Sequence, residues 1–415
     1  MSGPEFVTFG CRLNSFETEA MRAGASDPAL DNAVVFNSCA VTAEAVRQAR
    51  QAVRRRRRQD PDARIIVTGC AAQTEPETFA AMDEVDLVIG NREKFDLNRF
   101  GALGRQSHAG VHVADIMDAK ADRLPALEGF GERSRAFVQV QNGCDHRCTF
   151  CVIPFGRGPS RSMAPDEVVR RIAELGDQGF REVVLTGVDI TDYAHDGAVL
   201  GDLVQRILDE VPELARLRLS SVDPIEIDPK LIDLIGREAR LMPHVHLSIQ
   251  AGDNMILKRM KRRHAREDVI GLCRKLQAMR PDMAFGADLI AGFPTEDEAM
   301  FANTLALIEE CGLTFLHVFP FSVRAGTPAA KMPQLPRQLV KERAARLRAA
   351  GAAARRRFYQ SRLGQEERVL VETAERGHSE HFAPVRLSHA CPPGEVVRAR
   401  ITGIDEDELL GEVLA

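Results

Sequence analysis

Three cysteines crowd one short segment, Val140-Gln-Asn-Gly-Cys144-Asp-His-Arg-Cys148-Thr-Phe-Cys151. The spacing C-x3-C-x2-C lets three thiolates reach three corners of a single iron–sulfur cube. No fourth cysteine lies nearby, so one iron would keep an open coordination position. A metal centre needs such a position to engage a reaction partner. The competing reading is structural zinc, which takes four ligands, usually as two separated pairs. His146 is the only further candidate, and it sits inside the same tight loop.

A second trio is dispersed. Cys11 follows Phe6-Val-Thr-Phe-Gly10, Cys39 follows Val34-Val-Phe-Asn-Ser38, and Cys70 follows Ile65-Ile-Val-Thr-Gly69. Each lies just past an apolar run that reads as a strand. In a parallel sheet the strand C-termini share one edge, where ligands gather. Three thiols far apart in sequence are therefore expected to converge, and again only three ligands are offered. Cys273, Cys311 and Cys391 read as small buried hydrophobes.

The elements that must position these residues alternate in period. Phe6–Phe9, Ala33–Phe36, Ile65–Val67 and Val85–Ile89 read as strands, separated by helical stretches such as Ala43–Arg58, a βαβ pattern. Residues 101–135 read as a linker. Six further strands are expected at Phe137–Val140, Glu182–Thr186, Leu217–Ser220, Val245–Ile249, Ala284–Ile290 and Phe315–Pro320. Six such units suggest a parallel barrel or partial barrel, with its site at the strands' C-terminal ends. Arg337–Arg362 reads as a surface helix. Arg368–Glu372, Ala383–Leu387, Glu395–Thr402 and Leu409–Val413 read as a small antiparallel barrel. The expected class is thus α/β, with an N-terminal parallel domain over 1–103, a six-unit central domain over 130–362 and a small barrel over 364–415.

Composition bounds the setting. The chain has 415 residues, 44% of them apolar, enough for two or three cored domains. It shows no secretory n-region and no run of about 20 apolar residues, so a cytoplasmic, non-membrane location is expected. Nine cysteines in that setting point to metal or catalysis before disulfides. A net charge of -5 does not advertise nucleic-acid binding. Arg47, Arg50 and the run Arg54 to Arg58 nevertheless share one helix, and a second basic stretch covers 337–362. Such patches can bind phosphate, although a solvated helix face is the plainer reading of charge alone.

The loop holding Cys144, Cys148 and Cys151, with an aromatic residue before the last cysteine, resembles the radical S-adenosylmethionine (SAM) signature. The resemblance implies a [4Fe–4S] cluster whose open iron chelates SAM and cleaves it to a 5′-deoxyadenosyl radical. It also implies SAM contacts from Thr186-Gly187-Val188-Asp189, Ser220-Ser221, Gln250 and Asp288-Leu-Ile-Ala-Gly292, all expected at strand ends. Two cysteine trios in this order before a small β-barrel resemble the methylthiotransferases. That family carries a second, auxiliary [4Fe–4S] cluster, here on Cys11, Cys39 and Cys70, and an RNA-binding terminal barrel of the TRAM type. Thr8-Phe-Gly-Cys11-Arg-Leu-Asn14, Asn37-Ser-Cys39-Ala-Val-Thr42 and Thr68-Gly-Cys70-Ala-Ala-Gln73 look most like the branch acting on threonylcarbamoyladenosine in tRNA. The isopentenyladenosine branch carries Gln-Met-Asn after its first cysteine, and the ribosomal-protein branch Pro-Lys-Asn.

The resemblance further implies methylation of a sulfur on the auxiliary cluster, then transfer of the methylthio group to C2 of adenosine 37. The implied partners are the tRNA anticodon stem-loop, an electron donor such as flavodoxin or ferredoxin, and an unidentified sulfur source. The alternatives are the same chemistry on isopentenyladenosine or a ribosomal protein, or a non-enzymatic metal-containing RNA-binding protein.

Overall fold

The computed structural model describes residues 3–101, 110–119 and 134–414. Strands Glu5–Thr8, Ala33–Ser38, Arg64–Gly69, Leu87–Ile89 and Gly110–His112 form one parallel sheet in sequence order. Every residue of Ala33–Ser38 and Arg64–Gly69 is buried, as expected of strands covered on both faces. Val34, Phe36, Ile65 and Val67 pack one face, and Ala33, Val35 and Ile66 the other. The fifth strand, Gly110–His112, comes from the stretch read as a linker. Within that stretch, 102–109 and 120–133 lie outside the described residues, as does the expected start of the central domain at residue 130.

The central region holds six parallel strands in sequence order. Arg135–Gln139, Glu182–Thr186 and Arg216–Leu219 form one ladder, and His244–Gln250, Ala284–Ala291 and Leu313–Pro320 another. Single bridges at Leu217–Leu241 and Val222–Leu247 join the ladders. Side chains alternate along these strands. Val183, Leu185, Leu217, Leu219, Val245, Leu247 and Leu289 belong to the large apolar core. The opposite positions, Glu182, Arg216, Arg218, His244, His246, Asp288 and His317, line a polar lumen. Leu13, Phe16 and Ala20 of helix Arg12–Gly24 join the same core, so the N-terminal unit is packed against the first barrel strand.

Helix Arg337–Arg362 is more than a surface element. It buries Ala344, Leu347, Gly351 and Ala354 against strand Leu313–Pro320, with Gly351 facing Leu316. Small residues replace the wide apolar stripe that periodicity would reveal. The C-terminal barrel closes with five strands, adding Arg376–His378 to the four expected, in the order Glu366–Thr373, Arg376–His378, Pro384–Leu387, Glu408–Val413, Val396–Asp405. Its pairs are antiparallel except Pro384–Leu387 with Glu408–Val413, which is parallel. No described helix is long and apolar enough to cross a membrane.

Candidate metal and cofactor site

At the edge of the N-terminal sheet, two of the three cysteines follow a glycine in the left-handed region. Gly10 has φ +95° and Gly69 φ +93°. A Cβ on Gly10 would lie 2.9 Å from Cys39 Sγ, so the first cysteine turn is pressed against the second cysteine. A Cβ on Gly69 would lie 2.3 Å from the Ser38 carbonyl oxygen. Glycine is needed at both places. Cys11, Cys39 and Cys70 thus converge, each within electrostatic reach of the others. Burial is the main influence on the Cys11 and Cys39 thiols. It raises Cys11 and, with Cys70 and Cys11 adding to it, pushes Cys39 up to about 12.

The loop Cys144–Cys151 hangs at the C-terminal end of the barrel. Burial pushes Cys151 up to about 12 and Cys144 higher still. Arg262 donates to Cys148 Sγ (3.7 Å), to Asp223 (2.7 Å) and to the Ser248 carbonyl (2.7 Å). His146 lies 3.0 Å from Asp189 and 3.3 Å from Glu226. These carboxylates raise its pKa to about 10.

Both trios suit iron–sulfur clusters by the chemistry of their donors. Each offers three soft sulfurs. Thiols give up their protons when metal binds. The segment after Cys151 packs on Cys70: a Cβ on Gly156 would lie 3.4 Å from Cys70 Cβ. Arg157 ends the short helix Ile153–Arg157 that follows Cys151. Its Nε donates to Cys70 Sγ (3.1 Å), and its terminal nitrogens donate to Asn14 Oδ1 (2.6 Å) and to both oxygens of Glu17 (2.6 and 3.0 Å). Lys94 also pairs with Glu17 (2.6 Å) and donates to Asn91 (2.8 Å), whose amide reaches Cys70 Sγ (3.7 Å). Burial alone would raise the Glu17 carboxyl. Arg157 and Lys94 overcome it and hold the group at about 2.

The expected SAM-contacting residues are distributed unevenly. Thr186 ends its strand, and its carbonyl accepts from Val140 N–H (2.9 Å). A Cβ on Gly187 would lie 2.6 Å from the Gln141 carbonyl oxygen, so only glycine fits. The Gln141 side chain accepts from the N–H groups of Val188 (3.1 Å) and Asp189 (2.9 Å), fixing that turn. Asp189 reaches to 3.9 Å from Cys144 Sγ. Ser220 lies just past Leu219, and its buried hydroxyl has no partner among the described residues, which leaves it available to a ligand. Gln250 ends its strand at φ +73°. Asp288 departs from expectation. It is not at a strand end, because the strand runs on to Ala291 before Gly292 turns it. There Asp288 is held by His246 (2.9 Å) and His317 (3.2 Å), well below the usual carboxylate range.

Sequence reasoning missed Arg157, Glu17, Lys94, Asn91 and Gln141. One signal was available: Gly156-Arg157-Gly158 follows the cysteine loop directly. Gly156 backs onto Cys70, since a Cβ there would meet Cys70 Cβ at 3.4 Å.

Comparison with known proteins agrees with this geometry. Residues 138–308 match the radical SAM superfamily, and residues 5–90 match the uncharacterized protein family UPF0004. The chain is 49% identical over 405 residues to the threonylcarbamoyladenosine tRNA methylthiotransferase MtaB of Rickettsia prowazekii, covering 97% of this chain and 95% of that protein. It is 35% identical to the MtaB of Aquifex aeolicus (95% and 99% covered), and 34% identical to a tRNA-2-methylthio-N(6)-dimethylallyladenosine synthase of Cereibacter sphaeroides (98% and 97%). Among solved structures, the radical SAM methyltransferase TsrM of Kitasatospora setae, with cobalamin and a [4Fe–4S] cluster bound, superposes with a TM-score of 0.54. Identity is 16%, over 79% of this chain and 77% of that one, a likeness of fold.

Proposed function

Because this chain belongs to the radical SAM tRNA methylthiotransferases, in the threonylcarbamoyladenosine branch, we propose that it replaces the hydrogen at C2 of N6-threonylcarbamoyladenosine 37 in tRNA with a methylthio group. The observation that carries this reading is the packing of helix Ile153–Arg157, which follows Cys151, on Cys70, with Arg157 donating to Cys70 Sγ. Sulfur insertion into an unactivated C–H bond needs the group that abstracts hydrogen and the group that delivers sulfur to face one space.

Cys144, Cys148 and Cys151 hold one [4Fe–4S] cluster, and Cys11, Cys39 and Cys70 hold the other. When bound, the clusters and SAM supply reductive SAM cleavage, hydrogen abstraction and sulfur delivery; the protein supplies position and shielding. Thr186, Gly187, Asp189, Ser220 and Gln250 ring the barrel mouth and receive SAM. Gln141 locks the Gly187–Asp189 turn so that Asp189 stays beside the cysteine loop. Arg157 neutralises part of the thiolate charge on Cys70 and ties the two units together.

The assigned units are residues 1–103, 130–362 and 364–415, the last being the RNA-binding barrel. The RNA determinant is the anticodon stem-loop, the reductant a flavodoxin or ferredoxin, and the compartment the cytoplasm. Within the first basic run, Arg54, Arg56 and Arg57 are engaged by Glu84, Glu5 and Asp86. Arg55 and Arg58 are exposed and are the better phosphate contacts. Contacts of this kind make tRNA affinity fall as salt rises.

Mass spectrometry of tRNA nucleosides from a deletion strain tests the reading. Loss of 2-methylthio-N6-threonylcarbamoyladenosine, with its unmethylthiolated precursor accumulating, is expected. Loss of the isopentenyladenosine product instead would transfer the assignment to the neighbouring branch.

A further inference from the structure

Arg12 directly follows Cys11, yet its side chain leaves the N-terminal sheet and enters the central lumen. Its guanidinium carbon lies 5.3 Å from the centre of the Phe382 ring. Arg135 (5.0 Å) and Arg218 (5.1 Å) approach the same ring, which also stacks on His244 (5.4 Å) and His378 (4.8 Å). Phe382 comes from the C-terminal barrel and floors the lumen. Two of the three guanidiniums are accounted for. Arg135 and Arg218 pair with Glu182 (3.2 and 3.1 Å), Arg135 also engages Glu372, and Arg218 donates to the Glu380 carbonyl (3.0 Å). Arg216 takes a further share of Glu182 (3.3 Å). Asp288 is committed to His246 and His317. Arg12 feels Glu182 and Asp288 only at a distance, and among the described residues it has no hydrogen-bond or ion-pair partner.

Helix stability does not explain this placement. Arg12 is the first residue of helix Arg12–Gly24, where the helix dipole disfavours a cation. The ring contact is not enough either, because Arg135 and Arg218 already flank Phe382. Arg135, Arg216 and Arg218 already divide Glu182 among them, and Glu372 is shared by Arg135 and His378, so neither glutamate is left to Arg12. His317 is largely exposed, so the lumen opens to solvent above it. A half-buried guanidinium offset only by a ring and by distant carboxylates is a ready site for an anion of matching geometry.

We propose that Arg12 is a specificity-determining residue whose guanidinium receives the carboxylate of the threonyl group when the modified base enters the lumen. This deepens the function proposed above and rests on it. A planar carboxylate can take two parallel N–H bonds from the fork, whereas a tRNA phosphate is carried on the backbone and cannot follow the base into the lumen.

The test compares two tRNAs that differ only at residue 37, one bearing the threonine carboxylate and one its neutral carboxamide. Methylthiolation of each is measured with the wild-type enzyme, Arg12→Lys and Arg12→Met at matched iron content. Wild type should favour the carboxylate by about 10- to 100-fold in kcat/KM, the usual worth of a charge-assisted bond. Arg12→Met should erase that preference, and Arg12→Lys should restore part of it. A wild-type enzyme indifferent to the carboxamide, or an Arg12→Met enzyme as selective as wild type, overturns the carboxylate site alone. A wild-type enzyme inactive on the carboxylate tRNA overturns the reaction assignment, and the site with it.

Discussion

At Cys70 a guanidinium from the helix after the cysteine loop bonds the thiol, and its loss has a definite electrochemical consequence. Arg157 gives Cys70 both an N–H···S bond and a positive charge. Both favour the more negative, reduced form of a cluster. Arg157→Gln should therefore lower the reduction potential of the cluster on Cys11, Cys39 and Cys70, read by redox titration with electron paramagnetic resonance. An unchanged potential would reduce Arg157 to a brace. Gly10→Ala tests the turn before Cys11. Its new Cβ would collide with Cys39 Cβ at 2.7 Å, so about four of eight irons should be lost while reductive SAM cleavage persists; retention of all eight contradicts the packing. The six cysteines were legible because a thiol past an apolar run, or three in one loop, carries its meaning in local spacing. Arg157, Glu17 and Lys94 were not. Their shared ion-pair network joins residues up to 140 positions apart, and no local pattern marks such a meeting.

Strand positions explain why the lumen is charged and how the C-terminal barrel is held. Glu182 stands at the start of its strand, opposite Arg135 and Arg216 in register. It holds those arginines with Arg218, while Arg216 and Arg218 donate to carbonyls of His378, Ser379 and Glu380. Burial would raise the Glu182 carboxyl, but Arg218 and Arg135 bring it to about 2. Glu182→Ala leaves several buried cations uncompensated, a loss of about 3–5 kcal/mol. Calorimetry should show a clear fall in melting temperature, and a shift within error would mean the arginines re-pair elsewhere. The six central strands were legible from their apolar runs. Gly110–His112 and Arg376–His378 were not, because they carry one apolar side chain or none, whereas Leu87–Ile89, equally short, is apolar throughout. Helix Arg337–Arg362 hid its buried side for a different reason: alanine and glycine pack closely without announcing an apolar stripe.

Across the whole molecule, three units share one chemistry because buried charge sits at their junctions. Glu17 joins the cysteine loop to the N-terminal unit, and Glu182 joins the barrel to the C-terminal unit. Both are held at about 2 against an ordinary 4.5. A depressed carboxyl contributes stability that is complete above about pH 4.5 and is lost as pH falls toward 2. Cluster-free protein should therefore show a melting temperature that drops steeply below about pH 4.5 by circular dichroism. A flat profile there would deny that these glutamates are ionised. The measurement that tests the central claim most directly is an anaerobic competition. Reconstituted enzyme, SAM, sulfide and reductant are given two tRNAs, one carrying threonylcarbamoyladenosine and one isopentenyladenosine, and the nucleosides are read by mass spectrometry. The wild-type enzyme should methylthiolate only the first. Cys39→Ala should still release 5′-deoxyadenosine yet make no methylthio product, and Cys144→Ala should do neither. Normal product from Cys39→Ala, or a methylthio group on isopentenyladenosine, would contradict the account.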